Sequence, residues 1–130
     1  MGTFQVEATV SHLQNRERRV TLDLLADTGA TYTTPPREVA EALGLEPIDT
    51  RRIRLGDGRE ELWPIAAIFV RVGGQECPSL ALIGRPGGRA LLGAVTLEEL
   101  ALGVDPAGQR LIPTTSYLVS PTSATEGLPL

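Results

Sequence analysis

One histidine, one cysteine and no lysine leave this sequence few ways to do covalent chemistry. A serine or cysteine nucleophile needs a base, nearly always histidine. His12 lies in an arginine-crowded polar stretch, where a solvated loop side chain is expected. Cys77 precedes Pro78 in an apolar run and reads as a small packed residue. All twelve basic residues are arginine, so Schiff-base and phosphate-loop lysine mechanisms are absent. A single His and a single Cys do not furnish a structural zinc site, and no metal or cofactor is expected. Gly84-Arg85-Pro86-Gly87-Gly88-Arg89 is rich in glycine but lacks phosphate-loop spacing, and reads as a flexible loop. Carboxylate chemistry remains, and Asp27 is its candidate. It follows an alternating apolar run, Val20, Leu22, Leu24 and Ala26, and immediately precedes Thr28, Gly29 and Ala30. A carboxylate at the inner end of such a strand is costly unless something uses it. Ordinary Asx turns use the same residue types, so the tripeptide alone leaves both readings open.

The elements around Asp27 are those of a mainly β chain. Phe4, Val6, Ala8 and Val10 alternate with polar residues, as do residues 20–26, which predicts a hairpin across the polar stretch 12–19. A helix is expected with Thr34 as N-cap, Pro35 in its first turn and Gly44 as its terminator. Residues 51–72 form a second β region around the reversal Gly56-Asp57-Gly58, with Pro64 expected to interrupt pairing. Gly73-Gly74 predicts a further hairpin into a strand near 77–83. Thr96 and Glu99 have capping-box spacing, predicting a helix from Thr96 to about Leu102 that Gly103 ends. A turn at 105–108 leads to a short strand at 110–113. About ten strands and two short helices are expected. Hairpin, glycine-ended loop and short helix occur twice, which sets Asp27-Thr28-Gly29 in correspondence with Leu91-Leu92-Gly93.

At 130 residues the chain is one domain, expected over residues 1–113, with a polar tail at 114–130 that is loose or ordered against a dimer partner. Folding at this length buries roughly two thirds of the unfolded surface, so no staples are required. A net charge of −4 argues against nucleic acid as a partner. The N-terminus carries no signal-peptide pattern, and residues 62–70 are too short to cross a bilayer. A cytoplasmic protein without membrane contact is the expectation, which the lone cysteine suits.

Taken in order, the hydrophobic strand, Asp27-Thr28-Gly29-Ala30, the helix ending Leu43-Gly44-Leu45, the Gly56-Asp57-Gly58 hairpin and Leu91-Leu92-Gly93 before a second helix resemble the retroviral-type (retropepsin-like) aspartic proteases, particularly their small bacterial members. The resemblance spans about residues 4–112. It implies a closed β-barrel acid-protease fold with one or two short helices and Asp27 as the catalytic acid. Thr28, Gly29 and Ala30 complete the active-site loop, with Leu91, Leu92 and Gly93 supporting it from behind. A substrate-binding flap matches roughly 51–63, its tip at Gly56, Asp57 and Gly58, although this tip departs from the longer glycine-rich viral one. The activity implied is endopeptidase cleavage of an extended peptide by activated water. That route needs one ionised and one protonated carboxyl. Asp23, Asp49, Asp57 and Asp105 lack the strand-to-glycine-turn setting, so the second carboxyl is expected from Asp27 of another copy, in a homodimer. The resemblance further implies that Thr28 hydrogen-bonds across the two-fold axis. Ala30 offers no hydroxyl to the carboxylate, which sets the expected working range at mildly acidic to neutral pH. The alternative is a catalytically silent dimeric module of the same fold that binds peptides or scaffolds a partner. Arg85 and Arg89 border the cleft by analogy and are expected to be solvated.

Overall fold

Alternating apolar residues put a strand pair at the centre of the domain. In the computed structural model, which describes residues 3–118, β1 (Phe4–His12) and β2 (Arg19–Ala26) pair antiparallel from Phe4 opposite Ala26 to Ser11 opposite Arg19. Ala8, Val10, Leu24 and Ala26 are buried on one face. Thr9 and Thr21 meet on the other, hydroxyl to hydroxyl at 2.9 Å.

The hairpin of β3 (Asp49–Arg54) and β4 (Glu60–Val72) supplies the longest strand. Residues 60–65 of β4 pair with β3, and residues 68–71 pair with β1. On its other edge, residues 65–72 pair with β5 (Gln75–Leu82), reached through a turn in which Gly73 has φ +60°. Pro64 does not interrupt β4, contrary to the sequence expectation. It stands one residue before the β5 ladder begins, so its missing N–H falls at a change of partners, while its carbonyl accepts from Ile83 N–H at 2.9 Å.

β6 (Leu91–Leu92) pairs parallel with the end of β2, giving the order β3-β4-β1-β2-β6 with β5 on β4. The ladders do not close into a barrel. Between β5 and β6 there are only isolated bridges, Thr33 with Ala81 and Thr34 with Leu91. Val10, Leu24, Ile68, Val70, Ala81, Leu92, Leu97 and Leu100 fill the core between the sheet and the elements that fold back on it.

Both helices begin elsewhere than their sequences suggest. α1 (Arg37–Leu43) has Pro36, not Thr34, at its N-cap. Thr34 is already committed, exchanging backbone hydrogen bonds with Leu91 in both directions. The C-terminal reading holds: Gly44 has φ +70°, its N–H donates to the Glu41 carbonyl, and Leu45 N–H donates to that of Ala40. α2 (Ala94–Glu99) starts after Gly93, and Thr96 lies inside it. The capping box fails because the Thr96 hydroxyl is bound to Thr33 and Ser79, and Glu99 accepts from Ser79. The helix ends at Leu100, followed by Ala101 at φ +57°. Gly103 instead belongs to β7 (Leu102–Asp105), which pairs with β8 (Arg110–Pro113). Eight strands form among the described residues, not ten. No helix there is long and apolar enough to cross a membrane. Of the expected C-terminal tail, residues 119–130 lie outside the described residues; Tyr117 and Leu118 are exposed.

Candidate active site

The parallel pairing of β2 with β6 decides where Asp27 stands. Leu25 N–H donates to the Ala90 carbonyl and Asp27 N–H to that of Leu92, so the acid leaves its strand against Leu91-Leu92-Gly93. The chain then turns sharply: Ala30 N–H donates to the Asp27 carbonyl at 3.1 Å. Gly29 N–H donates to the carboxylate oxygen Oδ1 at 2.8 Å. Asp27 is half-buried, and Thr28 and Gly29 are exposed at the crest of the loop.

Three contacts hold the loop from behind. Ala94 and Val95, in the first turn of α2, donate their N–H groups to the carbonyls of Ala30 and Thr31. Helix starts leave such donors without intrahelical partners, and here the loop satisfies them. Gly93 packs so closely that a Cβ would lie 2.5 Å from the Tyr32 carbonyl carbon and 2.8 Å from Thr33 N. Finally, a buried polar chain runs under the loop. Gly93 N–H donates to Thr33 Oγ1 (3.0 Å), Thr33 to Thr96 (2.6 Å), and Ser79 contacts both Thr96 (2.8 Å) and Glu99 (2.6 Å). Thr33 and Thr96 are fully buried, and no buried side-chain polar atom among the described residues lacks a partner.

In front of the loop lies a groove of about 1000 Å³. The loop residues Gly29 to Tyr32 form its floor, the β3–β4 hairpin one wall and the loop 84–89 the other. Among the expected site residues, Gly29, Ala30, Gly56 and Leu91 line it. Leu92 and Gly93 are buried behind. Asp57 and Gly58 stand away from it: Asp57 turns its carboxylate back onto the N–H and guanidinium of Arg59, and Gly58 makes the bend at φ +90°. Arg59 beside Asp57 holds that carboxyl below the usual range.

Several groove residues carried no functional reading in the sequence. Arg51 shares the alternation phase of Ile53 and Leu55, a signal that assigns it to the groove face, and all three line it. Tyr32 and Trp63 line it too. Trp63 donates its indole N–H to Glu61 (2.9 Å), and Glu61 also pairs with Arg59 and Arg85. Arg85 is therefore not simply solvated: it joins the loop 84–89 to the hairpin wall. Thr33, Thr96 and Ser79 were equally unmarked, since nothing local distinguishes a threonine that bridges from one that caps.

The nucleophile alternatives lose ground. Burial pushes the Cys77 thiol up, away from the thiolate. His12 uses Nδ1 to accept from Gln14 N–H within its own hairpin loop.

Comparison with known proteins agrees with this architecture. The solution structure of simian foamy virus (mac) protease superposes with a TM-score of 0.53 at 24% identity, covering 75% of this chain and 94% of that one. The crystal structure of a retropepsin-like aspartic protease from Rickettsia conorii gives a TM-score of 0.50 at 23% identity, covering 79% and 87%. No curated protein matches in sequence. The family model for aspartyl proteases matches residues 6–105, from the second residue pair of β1 to the end of β7, and so takes in the Asp27 loop, the hairpin wall and the Gly93 support together. The chain belongs to the aspartyl protease family, and its fold is similar to that of the foamy virus and Rickettsia proteases.

Proposed function

We propose that the protein is a homodimeric aspartic endopeptidase in which two copies of Asp27 activate water between them. The observation that carries this reading is one acid per chain in the loop whose Gly29 and Ala30 line the groove. Asp27 is fixed there by Gly29 N–H and by the Leu92 carbonyl.

Peptide hydrolysis without a covalent intermediate needs two protonation states at once. The ionised carboxylate takes a proton from water as its oxygen bonds to the peptide carbon. The protonated carboxyl gives its proton to the carbonyl oxygen. Collapse of the tetrahedral adduct breaks the C–N bond, and the nitrogen leaves with a proton from the pair. Two carboxyls about 3 Å apart share one proton because both cannot ionise, as is established for aspartic proteases. A two-fold axis beside the exposed crest at Thr28 brings the same loop of a second copy to face the first. Thr28 then bonds across the axis, and the β3–β4 hairpin covers an extended peptide through main-chain contacts, with Gly56 at its groove edge. The working range is mildly acidic to neutral, since Ala30 brings no hydroxyl to the loop. A reducing compartment such as the cytoplasm suits the single cysteine.

Sedimentation combined with cleavage of an unbiased peptide library tests the proposal. The wild type is expected to be a dimer that cuts, and Asp27→Asn a dimer that does not. A monomer that cuts, or cleavage persisting in Asp27→Asn, overturns it. A dimer that binds peptides and cuts none is the silent module.

A further inference from the structure

Glu99 is exposed at the end of α2 and makes no ion pair among the described residues. Its carboxylate instead accepts from the Ser79 hydroxyl at 2.6 Å, at the surface end of the buried polar chain beneath the Asp27 loop. A carboxylate only accepts, and each hydroxyl has a single proton to give. Ser79 gives its proton to Glu99, so Thr96 donates to Ser79 at 2.8 Å, and Thr33 in turn donates to Thr96 at 2.6 Å. Thr33 Oγ1 is then the acceptor for Gly93 N–H at 3.0 Å. Gly93 N–H can only donate and Glu99 can only accept, which leaves one orientation for the three hydroxyls between them.

The chain does not stop at Gly93. Its N–H and the Leu92 carbonyl are the two ends of one planar peptide group. That carbonyl is the acceptor for Asp27 N–H at 3.0 Å. Five hydrogen bonds thus run in one direction from the backbone of Asp27 to the carboxylate of Glu99. Aligned bonds polarise one another, and a bond to an ionised acceptor is about twice as strong as a neutral one. Thr33, Ser79 and Thr96 are all buried, so the middle of the chain is shielded from solvent.

We infer that Glu99 is a positioning residue for Asp27: its charge, carried along this chain, tightens the hold of the Leu92 carbonyl on Asp27 N–H and so fixes the acid beside the groove. The inference rests on the proposed catalytic role of Asp27, although the chain itself exists without cleavage. Glu99 does not line the groove, so its loss acts on turnover and not on peptide affinity.

Glu99→Gln is the test, because it keeps an oxygen that accepts from Ser79 and removes only the charge. Nitrogen-edited NMR reads the Gly93 and Asp27 amide protons, which move upfield as their hydrogen bonds weaken. Both are expected to move upfield in Glu99→Gln, while kcat falls about twofold to fivefold and KM stays unchanged. Glu98→Gln removes the neighbouring exposed charge of α2 and is expected to move neither amide. Ser79→Ala interrupts the chain with the Glu99 charge still in place. On that background Glu99→Gln should shift neither amide further, whereas a field acting directly through space would persist. Amides that stay still in Glu99→Gln, move as far in Glu98→Gln, or still respond on the Ser79→Ala background overturn the inference. Shifted amides with kcat at its wild-type value overturn it too. A protein that cuts no peptide, but whose amides shift as expected, refutes the endopeptidase reading alone and leaves the hold of Glu99 on Asp27 standing.

Discussion

Gly93 lies against the backbone of Tyr32 with no room for a methyl group between them. Its φ of −94° is ordinary, so glycine is required here by space alone and not by backbone conformation. The three atoms that a Cβ would strike all belong to the main chain of the segment leading from Asp27, and none can rotate away. Gly93→Ala is therefore expected to cost about 1–3 kcal/mol of stability, as overpacking does. Because the strain is relieved by moving the loop, activity should fall further than stability explains. Thermal unfolding and kcat/KM, measured on the same variant, check both parts. Unchanged melting and full activity would mean that the loop tolerates a displacement which the contact distances forbid.

The hydroxyl chain beneath the loop gives a second prediction. Thr33→Val keeps the shape but removes the acceptor for Gly93 N–H and the donor to Thr96. Leaving a buried N–H without a partner costs about 1–3 kcal/mol. Thr96→Val should cost a similar amount, since it strands Thr33 and one contact of Ser79. The two residues touch, so their effects should not add. A double-mutant cycle by denaturant unfolding is expected to show a coupling of about 0.5–3 kcal/mol, and strict additivity would show that the chain is not one unit.

These residues also mark where sequence reasoning stopped. The two-residue period made β1, β2 and the β3–β4 hairpin legible, because burial of one face forces alternation. Glycine-specific positions such as Gly44 were legible because they require a left-handed backbone. Asp27 was legible as a candidate from its strand and turn. Thr34 and Thr96 were misplaced for a common reason: capping is a local rule, and both had been taken by long-range partners, Leu91 for one backbone and Thr33 with Ser79 for the other hydroxyl. The groove was equally hidden, because Arg51 and Arg89 come to line one space only once the hairpin and the glycine-rich loop face each other.

On the outer face of the sheet, Glu7 sits directly opposite Asp23 across the β1–β2 ladder. Both are exposed. Like charges in that position are destabilising, and no element of the proposed site uses either one. Asp23→Lys turns the repulsion into an attraction and is expected to stabilise the domain by about 0.2–1 kcal/mol, with no change in peptide binding. The gain should shrink as ionic strength increases. A salt-independent gain would point to strand propensity and not to charge.

Glu61 offers a pH readout at the groove wall. The hydrogen bond from the Trp63 indole holds its carboxyl below the usual glutamate range, with Arg85 and Arg59 adding to the effect. A group depressed on folding contributes stability that is fully present above its unfolded value and is lost as pH falls through its folded value. The tie from Glu61 to Arg85 should thus be intact at neutral and mildly acidic pH and break only in strong acid. Trp63 is the sole tryptophan of the chain, so its emission reports this one contact. A fluorescence transition is expected below the ordinary glutamate range, and Glu61→Gln should abolish it while leaving the far-UV circular dichroism unchanged. A transition at or above the ordinary glutamate value would separate Glu61 from its indole donor. One that persists in Glu61→Gln would belong to unfolding of the whole domain, which circular dichroism would show in parallel.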